Sequence, residues 1–465
     1  MMADHTSLRA DAERIWLAAI AGVDPQRLLA GAHDDLLGSL PAGRIVVVGA
    51  GKAAAGMAAG VEAALRHRGF PRDRLSGLVS VPEGCGETSS VIEVRHTRPA
   101  GANLPTPRVV KATEEMLAML GRLGPDDLGL ALVTGGGSAL LAAPRDGIEL
   151  DDKIAIARFL AARGAGIAAL NTVRRAASAV KAGGLARACR AGRLAVLVLS
   201  DVIGDPLDLI ASGPCMPSPA DPQAALDVLD RYGAITAGIA PGLVKLLHDD
   251  LAFPTGMAMG GDSHPTWTTP SGCLVSHRIV GNNDTAVDAA ATAARALGYE
   301  VDLRHADPAT PHSLCRAEDV GRRLAADGAL LAARSARDHR PRAIIEGGEA
   351  TVMIPDDHGT GGRNQQTALS AAVIGPEHQP RSGADWPAGM LIASIGTDGE
   401  DGPTDAAGGV VDADVARRLT ADPAAVRTAL ARCDALPALT HAGGLVRTGP
   451  TGTNVADVRI VLVRP

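Results

Sequence analysis

The run Arg44 to Val48 (RIVVV) is continuous and apolar beyond its first residue, stops at Gly49-Ala50-Gly51-Lys52, and leads into the Ala/Leu-rich stretch Ala53 to His67. No other feature restricts the fold as strongly. A strand with one wet face alternates polar and apolar residues, whereas a continuous run needs cover on both faces. The unit recurs: Leu128 to Val133 runs into Thr134-Gly135-Gly136-Gly137-Ser138, and Leu194 to Leu199 (LAVLVL) stops at Ser200-Asp201. Strand, polar corner and helix in succession predict a mostly parallel sheet with helices on both faces. Ligands of such sheets sit at the carboxyl ends of the strands, which is where each of these corners lies.

At roughly 150 residues per domain, 465 residues suggest two or three domains. Between Leu251 and Cys273 the pattern lapses into a stretch rich in Gly, Pro and Thr, read here as an inter-domain crossing or long hairpin. Strand-like runs resume at Arg278 to Val280, Arg342 to Ile345, Leu391 to Ile395 and Val458 to Val463. The expected architecture is therefore two α/β domains, a larger Rossmann-like one over 7–250 and a second over 251–465, with a cleft between them. The charge balance of 45 Lys+Arg against 52 Asp+Glu, net −7, and an aromatic content of 2% exclude a nucleic-acid binder. Six scattered cysteines at no metal-ligand spacing argue against zinc or a disulfide framework. With neither a basic, apolar leader nor an unbroken run of about 20 apolar residues, a soluble cytoplasmic protein without membrane or nucleic-acid partners is expected.

The corners carry the chemistry. Gly49, Gly51 and Lys52 let backbone N–H groups approach an anion. Their spacing is neither G-x-G-x-x-G nor a Walker A loop, since Ala53 stands where Ser or Thr would hold Mg²⁺, and a plain turn with a solvated lysine is the competing reading. Three consecutive glycines, Gly135, Gly136 and Gly137, are costly to order, which favours a nest of N–H donors for a carboxylate or phosphate. Ser138 beside them is either a ligand contact or a helix cap. Asp201, just past a buried strand, suits Mg²⁺ binding or acceptance of a hydroxyl proton, while Asp205 before Pro206 is the better cap. Downstream, Arg363 lies in a Gly-rich segment, and residues 396–405 gather Asp398, Glu400, Asp401 and Asp405. Carboxylates beside phosphate-binding corners point to a Mg²⁺-nucleotide. No His-based metalloprotease motif or Ser/His/Asp order gives hydrolysis an anchor.

Taken in order, VVVGAGKAAAGMA (46–58), LVTGGGSALL (132–141), NTVRRAASAVKAGG (171–184), LSDVIGDPLDLIASGP (199–214), GNNDTA (281–286), IIEGGEATV (344–352), GTGGRNQ (359–365), IGTDGEDGPTDAAGG (395–409) and RTGPTGTNVAD (447–457) resemble the class II glycerate kinases. The C-terminal part of that family is called MOFRL, here about 340–460. The resemblance implies ATP- and Mg²⁺-dependent phosphorylation of the 2-hydroxyl of D-glycerate in the inter-domain cleft. Lys52 and Arg363 then match the catalytic lysine and arginine, and Asp201 orients the hydroxyl or takes its proton. Asp398 is expected at the metal and Asp401 at the nucleotide. Ser138 with its glycines, Asn171 and Arg174 would hold the glycerate carboxylate, and Asn282 and Glu346 would line the cleft. A homodimer is left open. The usual Gly-His-Pro-x-Pro-Asp reads Arg95-His96-Thr97-Arg98-Pro99-Ala100 here, Ala182 and Gly184 replace a usual Gly and Arg, and Gln366 replaces a usual Glu. The competing functions are an NAD(P)-dependent hydroxypyruvate or tartronate-semialdehyde reductase and a non-catalytic metabolite-binding module.

Overall fold

A computed structural model describes residues 5–30, 38–86, 91–99, 104–217, 221–252, 266–309, 315–373, 386–387 and 389–465. Most of the expected crossing, residues 253–265, lies outside them, as does Ala100. The chain packs as two units. One holds Pro25–Leu199 and Pro206–Val280; the other holds the residues up to Asp24, Ser200–Asp205 and Gly281–Pro465.

In the first unit the strands are β1 (Ile45–Ala50), β2 (Leu75–Pro82), β3 (Ile92–Arg98), β4 (Leu128–Thr134), β5 (Arg193–Leu199), β6 (Thr266–Thr268) and β7 (Leu274–Gly281), in the order β3-β2-β1-β4-β5-β7-β6. β1 pairs in parallel with β2 and β4, β2 with β3, and β4 with β5, whereas β6 and β7 form an antiparallel hairpin. All residues of β1 and β4 are buried, as their unbroken apolar runs require. Strand order reverses between β1 and β4. That reversal is the topological switch point at which doubly wound sheets open a crevice, and both glycine corners sit there. A separate helical core built on Ile156, Leu160, Val173, Leu226 and Leu243 carries the helices Leu150–Ala162 and Ile167–Ala176.

The second unit is built on β8 (Glu300–Arg304), β9 (Arg342–Gly348), β10 (Met390–Gly396), β11 (Gly408–Val411), β12 (Leu445–Val446) and β13 (Asp457–Val463), in the order β12-β11-β10-β13-β9-β8. Only β8–β9 is parallel. The runs at 342–345, 391–395 and 458–463 are strands, as expected, and each is antiparallel to at least one neighbour, β10 and β13 to both. Continuous apolar character reports cover on both faces, here by Leu324, Leu369 and Val415 on one and by the helices His5–Gly22 and Asn283–Ala296 on the other, and is silent about strand direction.

Candidate functional site

Each unit carries its own cluster. In the first, the switch point brings the two corners together, with the Lys52 N–H donating to the Gly135 carbonyl at 2.9 Å. Gly51 has φ +136°, and a Cβ there would stand 2.6 Å from the Thr134 carbonyl oxygen, so strand approach alone demands this glycine. Gly136 has φ +77°, and a Cβ on it would lie 3.7 Å from Lys52 Cγ and 3.6 Å from an Arg98 Nη. Two cationic side chains therefore converge on the triple-glycine corner. Arg98, 3% exposed, belongs to the segment where the sequence departs from the family pattern.

Ser138 is held by more than a turn. Its Oγ lies 2.6 Å from Lys181 Nζ and 2.9 Å from Ser212 Oγ, and Lys181 also reaches the Ser138 carbonyl at 3.0 Å and Ser212 Oγ at 3.2 Å. Ala211, Ser212 and Ala182 all have positive φ, between 50° and 64°, outside the region that non-glycine residues prefer. Ala182 donates to the Ser212 carbonyl at 3.2 Å, which ties the two unusual segments together. Burial, reinforced by Lys153, Arg174 and Arg175, holds the Lys181 ammonium well below its ordinary range. Arg174 lies three residues after Asn171 on the Ile167–Ala176 helix, so both are on one face.

In the second unit Arg363 opens the Arg363–Val373 helix. Its Nε reaches both oxygens of Asp457 (3.1 and 2.9 Å), one Nη meets the same carboxylate at 3.0 Å, and the other donates to Glu349 at 2.8 Å. Asp457, fully buried at the start of β13, also accepts from Asn364 Nδ2 at 2.9 Å. Burial works against the Arg363 cation, but Asp457 and Glu349 outweigh it and hold its proton more firmly than usual. Beside this pair burial lifts Asp201 from 3.8 to about 7; the charges of Glu349 and Asp398 add to the rise and Arg363 opposes it. Asn454 Nδ2 donates to Asp201 at 3.2 Å.

Asp201, Asp398 and Arg363 are thus brought together, and Lys52, the glycines and Ser138 form the other cluster. Three further expected residues are tied into the surrounding structure by their own bonds. Asp401 accepts the backbone N–H groups of Asn364 (3.0 Å) and Gln365 (2.8 Å), fixing the first turn of the helix that carries Arg363. Burial raises its carboxyl to about 6 against those donors. Glu346 is buried on β9 between Arg323 (2.8 and 2.5 Å) and Arg459 (2.8 Å). Asn282 caps the Asn283–Ala296 helix through Thr285 and donates to Asp205 at 2.7 Å. Glu349, Asp457, Asn454 and Lys181 were not singled out from the sequence, although all four lie inside its recognisable stretches. Among the described residues no group of three His, Cys, Asp or Glu side chains is arranged to hold a metal by itself. None of the described helices is long and apolar enough to cross a membrane.

Fold and clusters define an α/β protein of two units: a doubly wound, mostly parallel sheet with a glycine-rich switch point, and a mixed sheet presenting an arginine among carboxylates. Residues 11–247 match the family described as a domain of unknown function (DUF4147), and residues 342–457 match the MOFRL family. The chain is 33% identical over 463 residues to the D-glycerate 2-kinase of Thermotoga maritima, covering 99% of this chain and all of that protein. It is 36% identical over 466 residues to a putative hydroxypyruvate reductase of Agrobacterium vitis, covering 99% of this chain and 95% of that protein. The crystal structure of glycerate kinase from Thermotoga maritima superimposes with a TM-score of 0.77 at 32% identity, over 98% of this chain and all of that one. The chain belongs to the class II glycerate kinase family, which combines the DUF4147 and MOFRL domains.

Proposed function

We propose that the protein transfers the γ-phosphoryl group of ATP to the 2-hydroxyl of D-glycerate, giving 2-phosphoglycerate and ADP. The observation that carries this reading is that Arg363, held by Asp457 and Glu349, shares one cluster with Asp201, whose carboxyl burial pushes up to about 7. Phosphoryl transfer needs positioned positive charge on the moving group and a group that accepts the hydroxyl proton. The contacts with Asp457 and Glu349 use three of the five guanidinium N–H donors. The other two are then assigned to phosphoryl oxygens, with Arg363 one-third exposed. Asp201 orients the alcohol and takes its proton. Lys52 supplies a second positive charge, and the Gly135–Ser138 corner with Asn171 and Arg174 seats the carboxylate.

Mg²⁺ fits the donor chemistry of the second cluster, where the carboxylates of Asp201, Glu349 and Asp398 lie close enough to act on one another. Asp398 would hold it together with oxygens that the nucleotide supplies, since no three of the described acidic side chains are arranged to do so alone, and the ion would neutralise phosphate charge. Asp401 serves by fixing the helix on which Arg363 stands. The reductase name of the Agrobacterium vitis relative makes the discriminating assay plain. Purified protein should consume ATP with D-glycerate and form a product that enolase converts. Formation of 3-phosphoglycerate, or oxidation of NADH with hydroxypyruvate and no ATP consumption, would overturn the proposal.

A further inference from the structure

The helix Leu150–Ala162 brings Lys153 close enough to act on Lys181, and its Nζ is buried with no hydrogen-bond partner among the described residues. A lysine placed only for stability would direct its head to water or to a carboxylate. Neither occurs. Burial alone pushes Lys153 down to about 8, and burial alone lowers Arg174. The groups acting on Lys181 are Lys153, Arg174 and Arg175, all cations. Arg175 is met by the Asp208 carboxylate and carbonyl (3.3 and 2.7 Å), but no carboxylate among the described residues acts on Lys153, Arg174 or Lys181.

Uncompensated like charges gathered out of water are unfavourable in the free protein, and the standing remedy is an anion. Ser138 and Ser212 make the place suitable for one. Lys181 donates to both hydroxyl oxygens and one hydroxyl donates to the other, so one O–H remains to point at an acceptor.

We infer that Lys153 is a further substrate-binding residue, the counter-charge that selects a carboxylate-bearing alcohol at the Ser138–Lys181–Ser212 seat. This rests on the kinase reading above, and ATP is given no part in it. Lys181 positions Ser138 and Ser212, whereas Lys153 meets the anion. Lys153 is only partly buried as a residue, so methionine can replace it without a void, and K153M is the variant of choice.

The test combines steady-state kinetics with calorimetric titration of D-glycerate into wild-type, K153M and K153R full-length protein. K153M should raise KM for D-glycerate by about tenfold or more and weaken its directly measured binding in parallel. KM for ATP should stay within about twofold and kcat within about threefold, while K153R should restore D-glycerate binding to within about threefold. A KM for D-glycerate within about twofold of wild type in folded K153M, or equal losses for both substrates, would overturn the inference and leave the kinase reading standing. Wild-type protein that neither binds nor phosphorylates D-glycerate would remove both.

Discussion

The most informative single change is D201N. Burial and the neighbouring Glu349 and Asp398 charges raise this carboxyl from 3.8 to about 7, a shift of about three units, or about 4 kcal/mol at 1.36 kcal/mol per unit. The residue keeps some exposure, and solvent screening brings the expected cost of the ionised form to about 2 kcal/mol. The sign follows from linkage. An acid whose folded pKa lies above its unfolded one binds its proton more tightly in the folded state, so stability falls as pH rises from about 4 and levels off above about 7. Asparagine carries no charge to penalise and can still accept the bond from Asn454. D201N should therefore melt at the wild-type temperature near pH 4 and about 4–8 °C higher at pH 8, for a unit of roughly 200 residues. Activity should move the other way. Loss of a proton acceptor costs about 10²–10⁴-fold in kcat, and wild-type kcat/KM should drop about tenfold per pH unit below about 7. Calorimetric melts at the two pH values, with an ADP-coupled assay, read both quantities. A variant that is destabilised at pH 8, or that keeps kcat within about threefold, refutes the assignment of Asp201 as a desolvated base.

Replacing Glu349 by glutamine removes a repelling charge from Asp201 and one partner from Arg363. Both effects favour ionised Asp201, so the acid limb of the pH–rate profile should move down by about one unit; an upward move would contradict the electrostatics. R363A should lose turnover but also about 3 kcal/mol of stability, because it strands the buried Asp457 carboxylate. R363K keeps the charge and loses the fork, so denaturant melts near wild type with kcat down about 100-fold would isolate the guanidinium geometry. Ala182, at φ +51°, occupies a conformation that costs an L-residue roughly 1–2 kcal/mol. A182G should therefore raise stability by about 1 kcal/mol in urea titration, after the entropy that glycine loses on folding.

Much of the first unit was legible because its signals are local. The apolar runs of β1, β4 and β5 demand two-sided cover, and their corners mark the strand ends, so the doubly wound sheet and the meeting of the Lys52 and Gly135 corners followed from short segments. The second cluster was legible only in part. Arg363 and the 396–405 acids stood out, but the partner that fixes Arg363 is Asp457, 94 residues away in sequence. No local pattern reports such a pairing. The same distance hides what Asp401 does in the fold, where its oxygens accept backbone donors 36 and 37 residues upstream. Glu346 ends an apolar run in the sequence much as Asp201 does, yet it lies within β9, where Arg323 and Arg459 enclose it. Lys181 went unnoticed because its importance lies in burial, and a lysine in a sequence is read by default as solvated.

The contrast among the acids of the second cluster shows what distinguishes an anchor from a reactive group. Asp457 and Asp201 share a side chain and the neighbourhood of one arginine. Asp457 accepts from three guanidinium contacts and from Asn364, all between 2.9 and 3.1 Å, which leaves its oxygens committed. The Asp201 carboxylate accepts only a longer bond from Asn454 and one from its own backbone N–H among the described residues, within a field that Glu349 and Asp398 make unfavourable for charge. Donors satisfy the first and fix the arginine; their scarcity leaves the second open to a proton. Identity of the residue is therefore a poor guide to role here, and the count of committed donors a better one. By that measure Asp401 and Glu346 side with the anchors, and Asp201 is the carboxyl left with capacity for chemistry.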